Sequence, residues 1–429
     1  MKLNREILRL ALPSIVSNIT VPLLGLADVA IMGHVGNEQY IGAIAVGSMV
    51  FNVVYWLFGF IRMATSGTTA QAFGSSGRTG EVLRRSLSFA LSVGLLIVLL
   101  QWPLRLLALW LMEPSAEVEQ LVTPYYNICV WGAPAVLGLY ALMGWFVGMQ
   151  NTRIPMMIAI TQNILNIGAS LFFVFALGMG IEGVALGTLV AQWFGFVMAL
   201  LSVPRGEMRE KTGGKSDFPS LLSSLRSFLP LFLRTLCLVA VNFYFTSAGA
   251  RQGDMMLAVN TLLMQLFTIF SYFMDGFANA GEALVGRFYG ARDAQSLSRV
   301  VSLLFRWGWA MVALFTALYW LAGEQFLGLL TSDGAVVAAS LTYLPWAALI
   351  PLCGMAAFVW DGVFVGLMAT RGMLLSCLVA AVAFFIIWLT GSGSLGNHAL
   401  WLALLVYLAL RGVVQTLIYH LSFLRKVWQ

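Results

Sequence analysis

Residues 144–153 read GWFVGMQNTR, and residues 362–371 read GVFVGLMATR. Gly, Phe, Val, Gly, Thr and Arg coincide at a constant offset of 218. Tyr125 and Tyr343 keep that offset, and near an offset of 216 Phe73-Gly74 matches Tyr289-Gly290, each pair followed by a basic loop. A shared apolar composition accounts for the Phe and Val but not for Thr-Arg at the end of an apolar run. The chain is therefore built from two related halves.

Working outward, the runs around these strings are too apolar for water. Of 429 residues, 60% are hydrophobic and only 10% charged, and the mean hydropathy is +0.87. A soluble protein of this size cannot bury so much apolar side chain. In lipid the backbone satisfies its own hydrogen bonds as helices or a closed barrel. Barrel strands alternate polar and apolar residues, whereas 95–100 reads LLIVLL, so helices follow. A span takes about 20 apolar residues. Twelve runs qualify: 8–33, 40–73, 84–111, 118–149, 153–177, 181–204, 227–250, 254–288, 294–322, 336–367, 371–390 and 398–425. The expected fold is an all-α integral membrane protein with twelve transmembrane helices in two homologous six-helix lobes, 1–204 and 227–429, joined by a polar linker at 205–226. Six is even, so both lobes share one orientation and their pseudo-twofold axis runs along the membrane normal. Such a pair suits alternating access. A channel or a membrane enzyme does not need this symmetry, although the symmetry excludes neither.

The charges sort by side. Eighteen of the 24 basic residues, among them Arg78, Arg153, Arg205, Arg287, Arg299 and Arg371, fall at one set of span ends. The opposite loops hold only Arg251, together with acids such as Glu113, Glu119, Glu182, Asp254 and Asp333. Positive-inside bias then puts both termini and the linker in the cytoplasm. The formal charge of +6 is thus a topology signal and not a nucleic-acid footprint. Met1 to Leu10 is too short and mixed for a cleavable leader, so the first span is expected to stay as the insertion signal. Cys129, Cys237, Cys353 and Cys377 sit in apolar runs without ligand spacing, and His34, His398 and His420 are scattered, so no metal or other cofactor is expected.

Each ionisable residue inside a span costs about 2.5–3.5 kcal/mol on insertion scales and needs a reason. The second lobe holds Arg234, Asp275, Glu282, Arg306, Asp361 and Arg411. Three acids and three bases read either as a self-neutralising network that holds the lobe together, with Glu282 pairing a base such as Arg234, or as a second coupling site or cytoplasmic gate. In the first lobe, Asp28 lies about 8 Å below the outer end of its span by helical rise. Arg62 is too deep to pair with it, and Arg105, at similar depth, can snorkel outward. Pro22 removes a backbone bond to the carbonyl of Asn18 and is expected to kink this helix. The pair reads as a protonation-sensitive hinge, or else as a solvated acid at the outer mouth. Asn163, Asn166 and Ser170 share one face of the fifth span, and Thr188 and Gln192 one face of the sixth. These stripes suit a cavity or helix–helix hydrogen bonds. Tyr140 offers an aromatic wall. Met32, with Met143, Met149 and Phe172, fits an adaptable greasy cavity as well as ordinary packing.

The string GMGIEG at 178–183 matches GxGxxG, but it sits between two spans without a preceding strand and reads as a turn. There is no Walker A string, so an ion gradient is the expected energy source unless transport is passive.

The strings LALPSIVSNITVPLLGLADVAIMGHVG (10–36), IRMATSGTTAQAFG (61–74), GWFVGMQNTR (144–153), NILNIG (163–168), MDGFANAGEALVGRFYGARD (274–293) and GNHALWLALLVYLALRG (396–412) resemble the MATE (multidrug and toxic compound extrusion) family, in its DinF-like branch. They run in order over nearly the whole chain. The resemblance implies two six-helix lobes around a V-shaped cavity and export of amphipathic, often cationic compounds in exchange for H+ or Na+; the chain is expected to reside in a bacterial cytoplasmic membrane as a monomer. By motif, Asp28 corresponds to the family's first-helix acid for coupling ion or substrate, with Asn166 and Thr188 at nearby polar positions. Ser170 stands where many relatives carry a second acid, and Asp361 lies closer to Gly366 than the sodium-coupled branch's tenth-helix acid would. Both departures favour proton coupling through Asp28 over sodium. One alternative is a lipid-linked oligosaccharide flippase of the same superfamily, whose cavity would be cationic, unlike the Asp, Asn, Thr and Tyr here. Another is a membrane-embedded enzyme, for which no nucleophile, metal cluster or acid–base pair is found.

Overall fold

Long apolar runs with few breakers leave the backbone one solution in lipid, and the computed structural model is helical throughout, with no strand among the described residues. It describes residues 2–33, 38–112, 116–209, 221–331 and 333–423, with the backbone alone for 21–30, 32–33, 38–41, 111, 116, 208–209, 221–227 and 422–423. The first half comprises α1 (Lys2–Gly33), α2 (Glu38–Phe58), α3 (Phe60–Gly74), α4 (Thr79–Leu99), α5 (Gln101–Met112), α6 (Ala116–Cys129), α7 (Ala133–Gly148), α8 (Arg153–Leu171) and α9 (Ile181–Leu201). The second comprises α11 (Leu221–Ala250), α12 (Asp254–Gly290), α13 (Ala294–Leu330), α14 (Gly334–Gly366), α15 (Thr370–Leu395) and α16 (Asn397–Ile418), after the short α10 (Arg205–Arg209). Among the described residues eleven helical runs are long and apolar enough to cross a membrane. With α1, at 32 residues, they make twelve spans, six to a half.

Three spans are interrupted where the sequence supplies a cause. Gly59 separates α2 from α3 with tight bonds, its N–H donating to Trp56 at 3.0 Å and its carbonyl accepting from Arg62 at 3.2 Å. The expected span 84–111 is instead two helices parted at Leu100. Pro103 has no N–H for the carbonyl of Leu99, and its ring crowds that carbonyl. A single 3₁₀ turn, Val130–Gly132, joins α6 to α7. Residues 178–180 of GMGIEG form the connection before α9, with Gly178 at φ +67°.

The repeat is visible in the backbone. Gln150 and Met368 both adopt positive φ, 60° and 54°. In the first half the N–H groups of Met149, Gln150 and Asn151 donate to Trp145, Val147 and Phe146, each at 2.9 Å. In the second, Leu367, Met368 and Ala369 donate to Val363, Val365 and Phe364, again each at 2.9 Å. Ser76 and Arg292 form a second pair of positive-φ residues, at 54° and 57°, closing α3 and α12.

The chain divides into two compact units, Val16–Phe228 and Met1–Ile15 with Leu229–Gln429. The expected first lobe took in all of 1–204, so the start of α1 groups differently. The packing explains it. Gly276 on α12 has no Cβ, and that space is filled by the Ile15 side chain and the Ala11 carbonyl. Trp307 Nε1 also donates to Asn4 Oδ1 at 3.3 Å, and Arg287 pairs with Glu6 at 3.8 Å.

Candidate functional site

In the unit Val16–Phe228 the polar stripes of α8 and α9 meet. Asn166 Nδ2 donates to Thr188 Oγ1 at 3.0 Å, and Asn163 Nδ2 donates to the Thr20 carbonyl of α1 at 2.8 Å. Asn166 and Ser170 are fully buried. Asn163, Asn166 and Thr188 thus make helix–helix hydrogen bonds, fastening α8 to α9 and to α1. The seam still keeps acceptors in hand: among the described residues Asn166 Oδ1, Ser170 Oγ and Gln192 Oε1 have no hydrogen-bond partner. Below Ser170, α8 passes into a π turn, Phe172–Ala176.

Tyr140, half-buried on α7, belongs to a group of phenol rings. Tyr55 lies within electrostatic reach of Tyr140 and Tyr126, and Phe51 stacks on Tyr126 with centroids 5.2 Å apart. Arg62 lies within electrostatic reach of Tyr140. Arg105 donates to Asn127 Oδ1 at 3.0 Å. Asn18 is half-buried on α1. The side chains of Pro22, Asp28 and Met32 lie outside the described residues.

The second unit gathers its buried charge on Asp361. Its Oδ2 accepts from Arg234 Nη2 and from Arg411 Nη2, the latter at 2.6 Å, while Oδ1 accepts from Gln415 Nε2 at 2.8 Å. Three helices, α11, α14 and α16, are pinned at this carboxylate. Arg411 also sits over the Tyr407 ring, 5.6 Å from its centroid. Asp361, Arg234 and Arg411 are all buried, so the pairing is shielded from water and the charges are costly to separate. Arg234, the base the sequence offered to Glu282, donates to Asp361. Glu282 is itself buried, with its backbone carbonyl against Gly366, and Asp275 is half-buried. Arg306 does not join the hub. It is exposed on α13 and lines a separate cavity.

The architecture has relatives. A family model described as MatE matches residues 13–172 and again 230–390. The chain belongs to this family. The two matches start at Pro13 and Pro230, so each lobe of this MATE protein is one copy of the family unit. Over 435 residues it is 38% identical to "DNA damage-inducible protein F" of Escherichia coli (strain K12), covering 99% of this chain and 94% of that protein. It is 25% identical to the "Probable multidrug resistance protein NorM" of Acinetobacter baylyi, covering 96% and 94%. A crystal structure of MATE in the bent conformation superposes with a TM-score of 0.87 at 20% identity, covering 100% of this chain and 98% of that one. An outward-facing multidrug resistance MATE family transporter gives 0.87 at 19% identity, covering 100% and 97%. These structures show the shared fold.

Sequence reasoning missed several partners in this MATE protein. Gln415 stands one turn beyond Arg411, and that i, i+4 spacing was the available signal. Asn260 and Asn397 exchange amide hydrogen bonds, each at 2.8 Å, and Trp401 Nε1 joins them at 2.9 Å. In the linker, Thr79 Oγ1 donates to Glu207 Oε2 at 2.6 Å, which fastens α10 to the start of α4.

Proposed function

We propose that the chain is a proton-coupled antiporter that exports amphipathic, often cationic compounds across a bacterial cytoplasmic membrane by alternating access, working as a monomer with both termini inside. The observation that carries this reading is the engagement of Asp361. A carboxylate whose oxygens accept from two buried guanidiniums and an amide is committed to holding three helices together. With Ser170 replacing a second acid in the first lobe, the carrier's role falls to Asp28 on α1. A relative described as "Probable multidrug resistance protein NorM" matches 96% of the chain.

In this mechanism a proton arriving from the outer side neutralises Asp28 and releases a cationic substrate. Deprotonation towards the cytoplasm restores the negative site. The test is substrate-driven proton release from proteoliposomes under an imposed pH gradient. Asp28→Asn is expected to fold normally and lose uphill export, with Asp28→Glu keeping part of it. Unchanged proton-coupled export in Asp28→Asn would overturn the assignment and move attention to Asp275 and Glu282. Dependence of export on a sodium gradient alone would replace H+ by Na+.

A further inference from the structure

A cavity of about 510 Å³ opens between α13, α14 and the end of α16, lined by neither Asp361 nor its partners. One wall is polar. Ser298, Ser302 and Arg306 line it, and a spacing of four residues puts them on one face of α13. The other wall is aromatic. Trp360 lies 5.0 Å from Phe305 and 4.6 Å from Tyr419, between ring centroids. Its Nε1 is occupied by Thr416 Oγ1 at 2.7 Å, so it presents an apolar surface. Trp309, 54% exposed, stands at the rim, and His420 completes the lining.

Arg306 makes this cavity more than a surface dent. Among the described residues it has no carboxylate partner. It lies seven residues along α13 from Arg299, about 10 Å further into the membrane by helical rise. A guanidinium at that depth with no carboxylate partner among the described residues calls for an anion. The anion present in bulk there is a lipid phosphate, and a guanidinium binds phosphate in two-pronged fashion. The volume falls within the range of small-molecule sites, about 300–1,000 Å³, enough for a glycerophosphate head group with its acyl chains leaving past Trp309.

We propose that this cavity binds one anionic phospholipid of the cytoplasmic leaflet, with its phosphate against Arg306 and Ser302 and its glycerol backbone on the Trp360–Tyr419 wall. The leaflet rests on the cytoplasmic placement of Arg287, Arg292 and Arg299 proposed above. The site itself does not depend on transport.

The experiment is native mass spectrometry of the purified full chain, delipidated and then titrated with phosphatidylglycerol, with phosphatidylcholine of the same acyl chains, or with inorganic phosphate. This readout depends on neither orientation nor coupling, so its failure is separable from failure of the antiporter reading. Wild type is expected to retain one phosphatidylglycerol in preference to phosphatidylcholine. Arg306→Gln is expected to weaken that retention about fivefold, the effect of one basic residue at an anionic surface. Arg306→Lys should keep most of it, Trp309→Ala should weaken it, and Arg251→Gln in an opposite loop should leave it unchanged. Equal retention of phosphatidylcholine, wild-type retention by Arg306→Gln, or displacement of the lipid by stoichiometric inorganic phosphate would each overturn the proposal.

Discussion

Gly144 and Gly362 occupy equivalent places in the two halves, each pressed against a backbone carbonyl of the neighbouring helix, that of Arg62 in one case and Ala278 in the other. One turn on, Gly148 would place a Cβ 2.7 Å from the Ser66 carbonyl, and Gly366 would place one 3.0 Å from that of Glu282. Glu282 is therefore the second-half counterpart of Ser66. Where one half buries a hydroxyl at the α3–α7 contact, the other buries a carboxyl group at α12–α14.

A methyl group has nowhere to go at the first pair, because the obstacle is backbone. Gly144→Ala and Gly362→Ala should each lower stability by about 1–3 kcal/mol, as overpacking does. A methyl group added at Gly168 on α8 would meet no atom within 4 Å, so Gly168→Ala should be neutral or slightly stabilising. Thermal unfolding of the three purified variants in one detergent checks this, and a Gly168→Ala protein as unstable as the others would refute the packing argument.

Asp361 is expected to be the most sensitive polar position of the second unit. Asp361→Asn removes the charge to which two buried guanidiniums donate, with an expected cost of about 3–5 kcal/mol. Replacing Arg234 and Arg411 by Met together with Asp361→Leu should recover much of that loss, since apolar groups of similar size remove the desolvation problem. The measurement is melting temperature and purified yield. A fully stable but transport-inactive Asp361→Asn would instead make the hub part of the coupling machinery.

Asp293 caps α13, its Oδ1 accepting from the Ser296 N–H at 2.9 Å. Hydrogen bonds from the Ser296 side chain and backbone hold its carboxyl below the ordinary value of 3.8. A lowered folded-state value means that the cap contributes above the unfolded-state value and is lost as pH falls through the folded one. Asp293→Ala should cost about 1 kcal/mol at neutral pH. The gap to wild type should narrow below about pH 4, where the unfolded-state carboxyl begins to protonate. Melting temperatures of both proteins across that range decide it, and a gap independent of pH would exclude the ionised cap.

The orientation is testable with single cysteines in a cysteine-free background. On intact cells an impermeant thiol reagent should reach a cysteine at Ser115 and not one at Ser216. Labelling of Ser216 would invert the topology drawn from the basic residues.

The repeat, the number of spans and the sorting of charge were legible because each rests on residue type and spacing. The positive φ at Gln150 and Met368 was not, since neither residue advertises a left-handed turn. What marks the site is the pair of strings around it. Arg306 shows a second limit. Depth along a helix follows from counting, but which neighbour a side chain meets depends on how helices rotate against each other. That rotation separated Arg306 from Asp361 and brought Gln415 to it. The break before α5 was legible in Pro103 and was overrun by the apolar composition on both sides.

The grouping of Met1–Ile15 with Leu229–Gln429 has a consequence for synthesis. Ile15 leaves the ribosome early, while Gly276, against which it packs, follows 261 residues later. At bacterial and eukaryotic elongation rates that interval is roughly 13–50 s. The first helix therefore waits in the bilayer with part of its surface unclaimed until most of the chain exists. A second half expressed alone would lack a piece of its own interior, and two separately made halves could complement each other only if the leading segment travelled with its distant partner.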